Sequence, residues 1–340
     1  MSDFYSDTKT KPTDDMRRVV LDAVVGDEQK NEDPTTTELC RRVAELLGKE
    51  AAVFLPSGTM CNEIAIKVHV NPGDEVICER GCHIVAFEGG APAAYSGAMI
   101  HVLDGTNGML TAEQVAVAIR SPSRYAPISR LVTVEQTANL AGGAVWPVEQ
   151  LTEVAAVAHD AGLVTHMDGA RLLNAVVQSG VPAHEMAAGY DSVWIDFTKG
   201  LGAPLGAVLA GSAEFIQQAW RVKQQIGGAM RQSGIVASMC LYALDHHVER
   251  LADDHALAAS IAERIEPLAG VAALLPVETN IVIGDLAAGS ITAAELVQRC
   301  AADGIHLGAF GERRFRIVTH LDVGPDDADA LCDAFARHLS

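Results

Sequence analysis

Two short segments combine residue types that can do covalent chemistry. The first runs Asp196-Phe197-Thr198-Lys199-Gly200-Leu201-Gly202-Ala203-Pro204-Leu205-Gly206. Its lysine follows an apolar, strand-like run, and glycines at 200, 202 and 206 strip side chains from its surroundings, so that backbone can approach a ligand closely. A lysine partly removed from water has a lowered pKa and can form a Schiff base; a plain surface charge is the competing reading. The second runs His166-Met167-Asp168-Gly169-Ala170-Arg171. Asp168 follows the apolar run Leu163–Met167 and so falls at a strand's carboxyl end, where open α/β sheets bind ligands. Lys199 follows a strand one βαβ unit further on, so both side chains can reach the same sheet edge. A lysine that holds an aldehyde and a carboxylate that keeps a pyridine nitrogen protonated together suit pyridoxal phosphate. The alternative is a structural ion pair of Asp168 with Lys199 or Arg171.

Other residues could complete such a site. Pro56-Ser57-Gly58-Thr59-Met60-Cys61-Asn62 follows a strand and opens a helix, whose free N–H groups suit a phosphate; an ordinary turn has the same composition. His83 follows another strand, and its ring could stack on a planar cofactor. Arg171, Arg231, Arg313, Arg314 and Arg316 are candidates to grip a carboxylate. His101, His246 and His247 read as surface positions. Cys78 and Cys82 lack a second ligand pair, so no metal site is expected.

The elements that must position these groups follow from periodicity. Short apolar runs at Ala51–Leu55, Glu75–Cys78, Met99–Leu103, Leu131–Val134, Leu163–Met167, Ser192–Phe197 and Ala207–Ala210 read as seven strands, with helical patterns between most of them. That alternation predicts an α/β fold with a mainly parallel seven-stranded sheet flanked by helices. Leu39, Val43, Leu46 and Leu47 share one face of a helix that Thr35 and Glu38 can start as a capping box and Gly48 can end. A long Ala-rich helical region runs from about residue 211 to Leu268. Beyond it, Asn280–Ile283 and Phe315–Val318 read as strands, and Thr292–Ala302 and Asp326–His338 as helices. The expected organisation is an arm, 1–12, a large domain, 13–245, and a smaller C-terminal α/β domain, 246–340.

Composition narrows the class. Apolar residues make up 49% of the chain, enough for a substantial core. The net charge of −19 argues against non-specific binding to nucleic acid or to anionic membrane surfaces. No apolar run reaches the roughly 18 residues of a transmembrane helix. Met1–Pro12 is polar, so no secretory leader is expected. The seven scattered cysteines suit reduced thiols in a cytoplasm.

Taken together, the segments resemble the low-specificity threonine aldolases, which have the aspartate-aminotransferase-like fold type I of pyridoxal-phosphate enzymes. The resemblance runs in order through Ser6-Asp7-Thr8, Glu32-Asp33-Pro34-Thr35, Phe54-Leu55-Pro56-Ser57-Gly58-Thr59-Met60, the Asp168 and Lys199 segments, Gly227-Gly228-Ala229-Met230-Arg231-Gln232 and Arg316-Ile317-Val318-Thr319-His320. It implies roles for individual residues. Lys199 would carry pyridoxal 5′-phosphate. Asp168 would pair with the pyridine nitrogen. His83 would stack on the ring and help handle protons. Gly58, Thr59 and Asn62 would hold the phosphate. Ser6, Arg171 and Arg316 would bind the substrate carboxylate. Arg231 and Lys223 would reach across a subunit interface in a homotetramer, a dimer of dimers. Four segments depart from the family pattern. Tyr125 stands where the family has a histidine near the substrate hydroxyl, Tyr5 stands for its arginine, and Lys30-Asn31 for its Tyr-Gly. Its Glu-Asn-Thr-His-Asn reads Glu135-Gln136-Thr137-Ala138-Asn139.

The implied reaction is retro-aldol cleavage of L-threonine, L-allo-threonine and related β-hydroxy-α-amino acids to glycine and an aldehyde. A β-elimination or racemisation on the same frame is the first rival. A cofactor-holding protein without turnover is opposed by Lys199, Asp168 and His83 being present together. A nicotinamide dehydrogenase lacks its Gly-x-Gly-x-x-Gly after the first strand.

Overall fold

The computed structural model describes residues 1–340. Its central sheet holds β1 Ala51–Leu55, β2 Glu75–Glu79, β3 Met99–Leu103, β4 Ser129–Glu135, β5 Val164–Gly169, β6 Ser192–Asp196 and β7 Ala207–Gly211. These are the seven strands expected from the sequence, with ends shifted by no more than two residues. The spatial order is β1-β7-β6-β5-β4-β2-β3. Strands β6, β5, β4, β2 and β3 run parallel, and β7 runs antiparallel to both its neighbours. Chain length explains that exception. A parallel return needs a crossover of about a dozen residues or more, whereas β6 and β7 are joined by residues 197–206 alone. The loop carrying Lys199 is therefore a turn between antiparallel strands. Gly206 ends it at φ +125°, with Phe54 so near that a Cβ would lie 2.6 Å from its ring.

Helices cover both faces, and β6 is buried along its whole length, as parallel sheets require. The first, α1 Pro34–Leu46, starts differently from the expected box. Asp33 is the cap, accepting from Thr36 N at 2.9 Å, with Pro34 in the first turn. A proline there loses no hydrogen bond. Thr35 instead donates to Val24 O at 2.7 Å, and Glu38 pairs with Arg41 on the exposed face. Helix α2, Gly58–His69, follows β1 directly and is capped by Ser57.

The Ala-rich region is three helices, α3 Ala213–Gln225, α4 Gly234–His246 and α5 Leu251–Ile265. Then come β8 Val271–Leu274 and β9 Ile281–Leu286, α6 Ala293–Ala302, β10 Gly308–Phe310, β11 Arg314–Val318 and α7 Pro325–Leu339. Their strands form an antiparallel sheet in the order β10-β11-β9-β8. This part has its own core, in which Phe315 stacks edge-on against Phe335. Phe4 of the arm belongs to that core, because Ser2–Asp3 pairs in parallel with Ile305–His306 and Val318 N donates to Phe4 O. The arm therefore leaves the C-terminal sheet pointing at the ends of β5 and β6. No helix is long and apolar enough to cross a membrane.

Candidate active site

A cavity of about 340 Å³ opens where the carboxyl ends of β5 and β6, the start of α2, the arm and the C-terminal sheet converge. Lys199 and Asp168 both line it, as do Gly58, Thr59, His83, Ser6, Arg171 and Arg316. The Lys199 ammonium lies 3.2 Å from Asp196 Oδ2, and its side chain is 15% exposed. His247 secures the loop behind it. This residue is buried rather than on the surface, because its Nδ1–H donates to Leu201 O at 2.7 Å.

Asp168 lies on the cavity floor. It accepts from Ala170 N at 3.0 Å and from Asn62 Nδ2 at 2.9 Å. Burial raises its pKa above the ordinary carboxylate value, against the pull of Lys199, Asn62 and His83. No cation is hydrogen-bonded to it, so a protonated ring nitrogen would supply the missing partner. The Asn62 amide can face only one way. The Trp194 indole N–H is a donor only, and it reaches Asn62 Oδ1 at 2.7 Å. The NH₂ group is thus turned toward Asp168 and toward Glu88, 2.7 Å away. His166 reinforces this orientation: Nε2 donates to Asn62 Oδ1 at 3.1 Å, while Nδ1 accepts from Ser192 Oγ at 2.8 Å. Ser192 in turn accepts from His69 Nε2 at 2.8 Å. Burial pushes His166 down to about 3 and His69 to about 4, so both rings are neutral. Every donor in this relay points toward the Asp168 carboxylate.

On the next side, the His83 backbone N–H donates to Glu135 Oε2 at 2.8 Å, and Nδ1 meets Glu88 Oε1 at 2.7 Å. Burial lowers the His83 pKa, but the Glu88 hydrogen bond and the charges of Asp168 and Glu88 outweigh it, so the value ends above ordinary. Nε2 has no partner within the chain. Glu135, held by Asn139 N at 2.7 Å, is pushed up to about 7 by burial and by Asp168.

The two arginines differ. Arg171 is gripped by Asp7 of the arm through two 2.7 Å bonds, Nε to Oδ2 and Nη2 to Oδ1. Asp7 also accepts from Asn280 Nδ2 at 3.1 Å, and this one carboxylate ties arm, central sheet and C-terminal sheet together. Arg316 donates Nη2 to Asn139 Oδ1 at 2.7 Å, while its buried Nε has no partner. Burial and the charge of Arg171 bring its pKa down to about 10.

Four expected residues lie outside the cavity wall. Asn62 is fully buried beneath Asp168 with its oxygen and both N–H groups engaged, so it has nothing left to hold a phosphate. Tyr125 stands 90% exposed in the loop after the helix Ala112–Ala118 and does not line the cavity, because its Pro-flanked segment runs over the surface. Arg231 is exposed and paired with Asp27. Lys223 is fully buried in its own chain, paired with Glu28 and donating to Phe54 O at 2.7 Å, so it cannot reach across to a partner. Arg313 and Arg314 are engaged by Ala287 O and Asp285. Sequence reasoning missed Asp7, Glu88, Asn139 and Trp194. Glu88 lies in the bend after the short helix His83–Ala86, where nothing in the sequence signals its role.

The comparisons with known proteins agree with this layout. The beta-eliminating lyase family matches residues 3–288. Low-specificity L-threonine aldolase 1 of Arabidopsis thaliana is 38% identical, covering 99% of this chain and 96% of its own length. The low specificity L-threonine aldolase of Escherichia coli K12 is 37% identical over 95% of each chain. This chain belongs to that family. A threonine aldolase structure from Leishmania major superposes with a TM-score of 0.87, at 20% identity over 100% of both chains, and shows the same fold. The family fold is thus built here with the cavity at its usual place for an α/β sheet, outside the strands' carboxyl ends.

Proposed function

We propose that this protein is a pyridoxal 5′-phosphate-dependent lyase that cleaves L-threonine, L-allo-threonine and related β-hydroxy-α-amino acids to glycine and an aldehyde. The observation that carries the reading is that Lys199 and Asp168 face one cavity from the neighbouring strands β6 and β5, with the start of α2 closing its third side. The residues fit the cofactor. The buried Asp168 lacks a cation, and Gly58 leaves room: a Cβ there would lie 2.2 Å from the Trp194 ring. The first N–H groups of α2 are free for a phosphate.

In this reading Lys199 holds the cofactor covalently, Gly58 and Thr59 hold its phosphate, and Asn62 acts through Asp168. When bound, the cofactor supplies an electron sink for the cleaved bond. The chain's own residues do the rest. The unpartnered Arg316 Nε grips the substrate carboxylate, with Ser6 beside it; Arg171 adds charge but is already committed to Asp7. His83 Nε2 takes the proton of the β-hydroxyl. The arm, 1–12, and the C-terminal part, 246–340, close over the large domain, 13–245. Seven free cysteines support a reducing cytoplasm, and exposed Leu21, Val24, Val117 and Ile128 support assembly, here as a homotetramer. Product analysis with threonine and phenylserine tests the reading: glycine plus aldehyde is expected, and an oxo acid plus ammonia would mean elimination instead. Borohydride should fix the cofactor to the peptide containing Lys199.

A further inference from the structure

Beneath His83 lies a pair of acids that the reaction above leaves unused. Glu63 on α2 and Glu88 are both buried; Asn62, next to Glu63 in the chain, donates to Glu88 Oε1 at 2.7 Å, and the Glu88 carboxyl lies near enough to raise the Glu63 pKa. Three of the four oxygens, both of Glu63 and Oε2 of Glu88, have no donor in the structure. The fourth, Glu88 Oε1, receives two: Asn62 Nδ2 and His83 Nδ1, each at 2.7 Å. The charged neighbours are few. His83 and Asp168 lie beyond Glu88 and Asn62, and no hydrogen bond or ion pair reaches the Glu63 oxygens. The turn Pro92–Ser96 packs on α2; its titratable Tyr95 is exposed, and its buried polar side chain is the neutral hydroxyl of Ser96.

Two ionised carboxylates in contact, away from water and without a cation between them, repel each other strongly. One proton between them replaces that repulsion with a short charge-assisted O–H···O⁻ bond and partners two of the three orphaned oxygens. Glu88 Oε1 already accepts twice, so the proton belongs on the other side, between Glu88 Oε2 and Glu63. Burial, the Glu88 hydrogen bond and the Glu88 charge push Glu63 up to about 9, in agreement with this placement.

We propose that Glu63 carries a proton at neutral pH, donates it to Glu88 Oε2, and so keeps Glu88 an anion that fixes the Nδ1–H tautomer of His83. That tautomer leaves Nε2 as the basic nitrogen facing the cavity, ready to form the N–H bond as the substrate's O–H bond breaks. Glu63 is thus a positioning residue, acting on His83 through Glu88. Only this last step rests on the aldolase reading; the shared proton does not.

The test compares cofactor-loaded wild type, Glu63→Gln and Glu63→Met at neutral pH. Infrared difference spectra of wild type against Glu63→Gln should show one protonated-carboxyl carbonyl band, shifted in D₂O and missing from the variant. Nitrogen NMR of the His83 ring should report the Nδ1–H tautomer in wild type and in Glu63→Gln, whose amide can still donate to Glu88, but a mixture in Glu63→Met. The kcat/KM for threonine should stay within about twofold in Glu63→Gln and fall about tenfold in Glu63→Met. Absence of the band overturns the proposal, as does a His83 ring unchanged in Glu63→Met. The band and the ring signals are read without turnover, so a protein that proves not to be an aldolase would still answer the question about the proton.

Discussion

Asp168, on the cavity floor, is 4% exposed; Tyr5, on the rim, is 52% exposed. The floor is assembled from residues that the sheet itself brings together. Asp168 and Trp194 are paired positions on β5 and β6, and Asn62 sits on the helix that follows β1. The Trp194 indole, a donor only, fixes the Asn62 amide, and that orientation follows from chemistry alone. The rim is assembled from the arm, the His83 turn and β10–β11, which meet only because the C-terminal core docks on the large one. Buried hydrogen-bond networks are preorganised, whereas the outermost rim side chains, such as Tyr5, are free to adapt. In the proposed reading, the residues that would hold the cofactor are thus the rigid ones, and those that would meet the substrate's side chain are not.

The strongest test of the floor is Asp168→Asn. A neutral amide cannot hold a proton on a pyridine nitrogen, so kcat should fall by roughly 10² to 10³ while bound cofactor colour persists. Absorbance and kcat measured on the same sample check this. A variant that keeps most of its kcat would mean that the floor is mere scaffold.

The joint between floor and rim is Asp7. Its pKa is depressed, because the charge and hydrogen bonds of Arg171 outweigh the effect of burial. A depressed carboxyl contributes stability that is complete above the unfolded value of about 3.9 and is lost as pH falls below it. Asp7→Asn should therefore cost about 3 kcal/mol at neutral pH, since it leaves the Arg171 charge buried without its partner. The difference from wild type should shrink at acid pH. Urea unfolding at both pH values reads the effect, and a constant difference would deny the linkage.

How much of this was legible in the sequence follows the same division. Lys199, Asp168 and Gly58 announce themselves because residue type and position at a strand end suffice to suggest their chemistry. Asp7 gave no sign of its role, which exists only in its contact with Arg171, 164 residues away in the chain. Glu88, Asn139 and Trp194 were silent for the same reason, since each acts through a partner on another element. Tyr125 lies off the cavity of its own chain, and its loop has no periodicity from which that direction could be inferred. The resemblance sent Lys223 toward a subunit interface, and no pattern announces that it pairs with Glu28 inside the protein.

At the rim, Arg316 and Arg171 should separate. Arg316→Ala removes charge-assisted bonds worth about 1.5 to 3 kcal/mol, so KM for threonine should rise about 10- to 100-fold with little change in kcat. Steady-state kinetics decide it. If kcat falls and KM stays constant, Arg316 holds the protein together rather than the substrate.

The smallest effect is expected at Tyr125. In the family the matching histidine lies near the substrate hydroxyl, and a phenol, with its pKa of about 10, would be a poor base in its place. The geometry makes that question moot within one chain: the side chain is 90% exposed and absent from the cavity wall. His83 is the titratable ring that lines the cavity, and its Nε2 is unengaged. Tyr125→Phe should then leave kcat/KM unchanged within about twofold, the ordinary range for a surface substitution, for both threonine and allo-threonine. The ratio between the two epimers is the sensitive readout, because loss of a hydrogen bond to the hydroxyl would affect them unequally. An unchanged ratio keeps Tyr125 out of the site. A shifted ratio would place this loop against the cavity of a neighbouring subunit, and the rim would then be completed by assembly rather than by the fold of one chain.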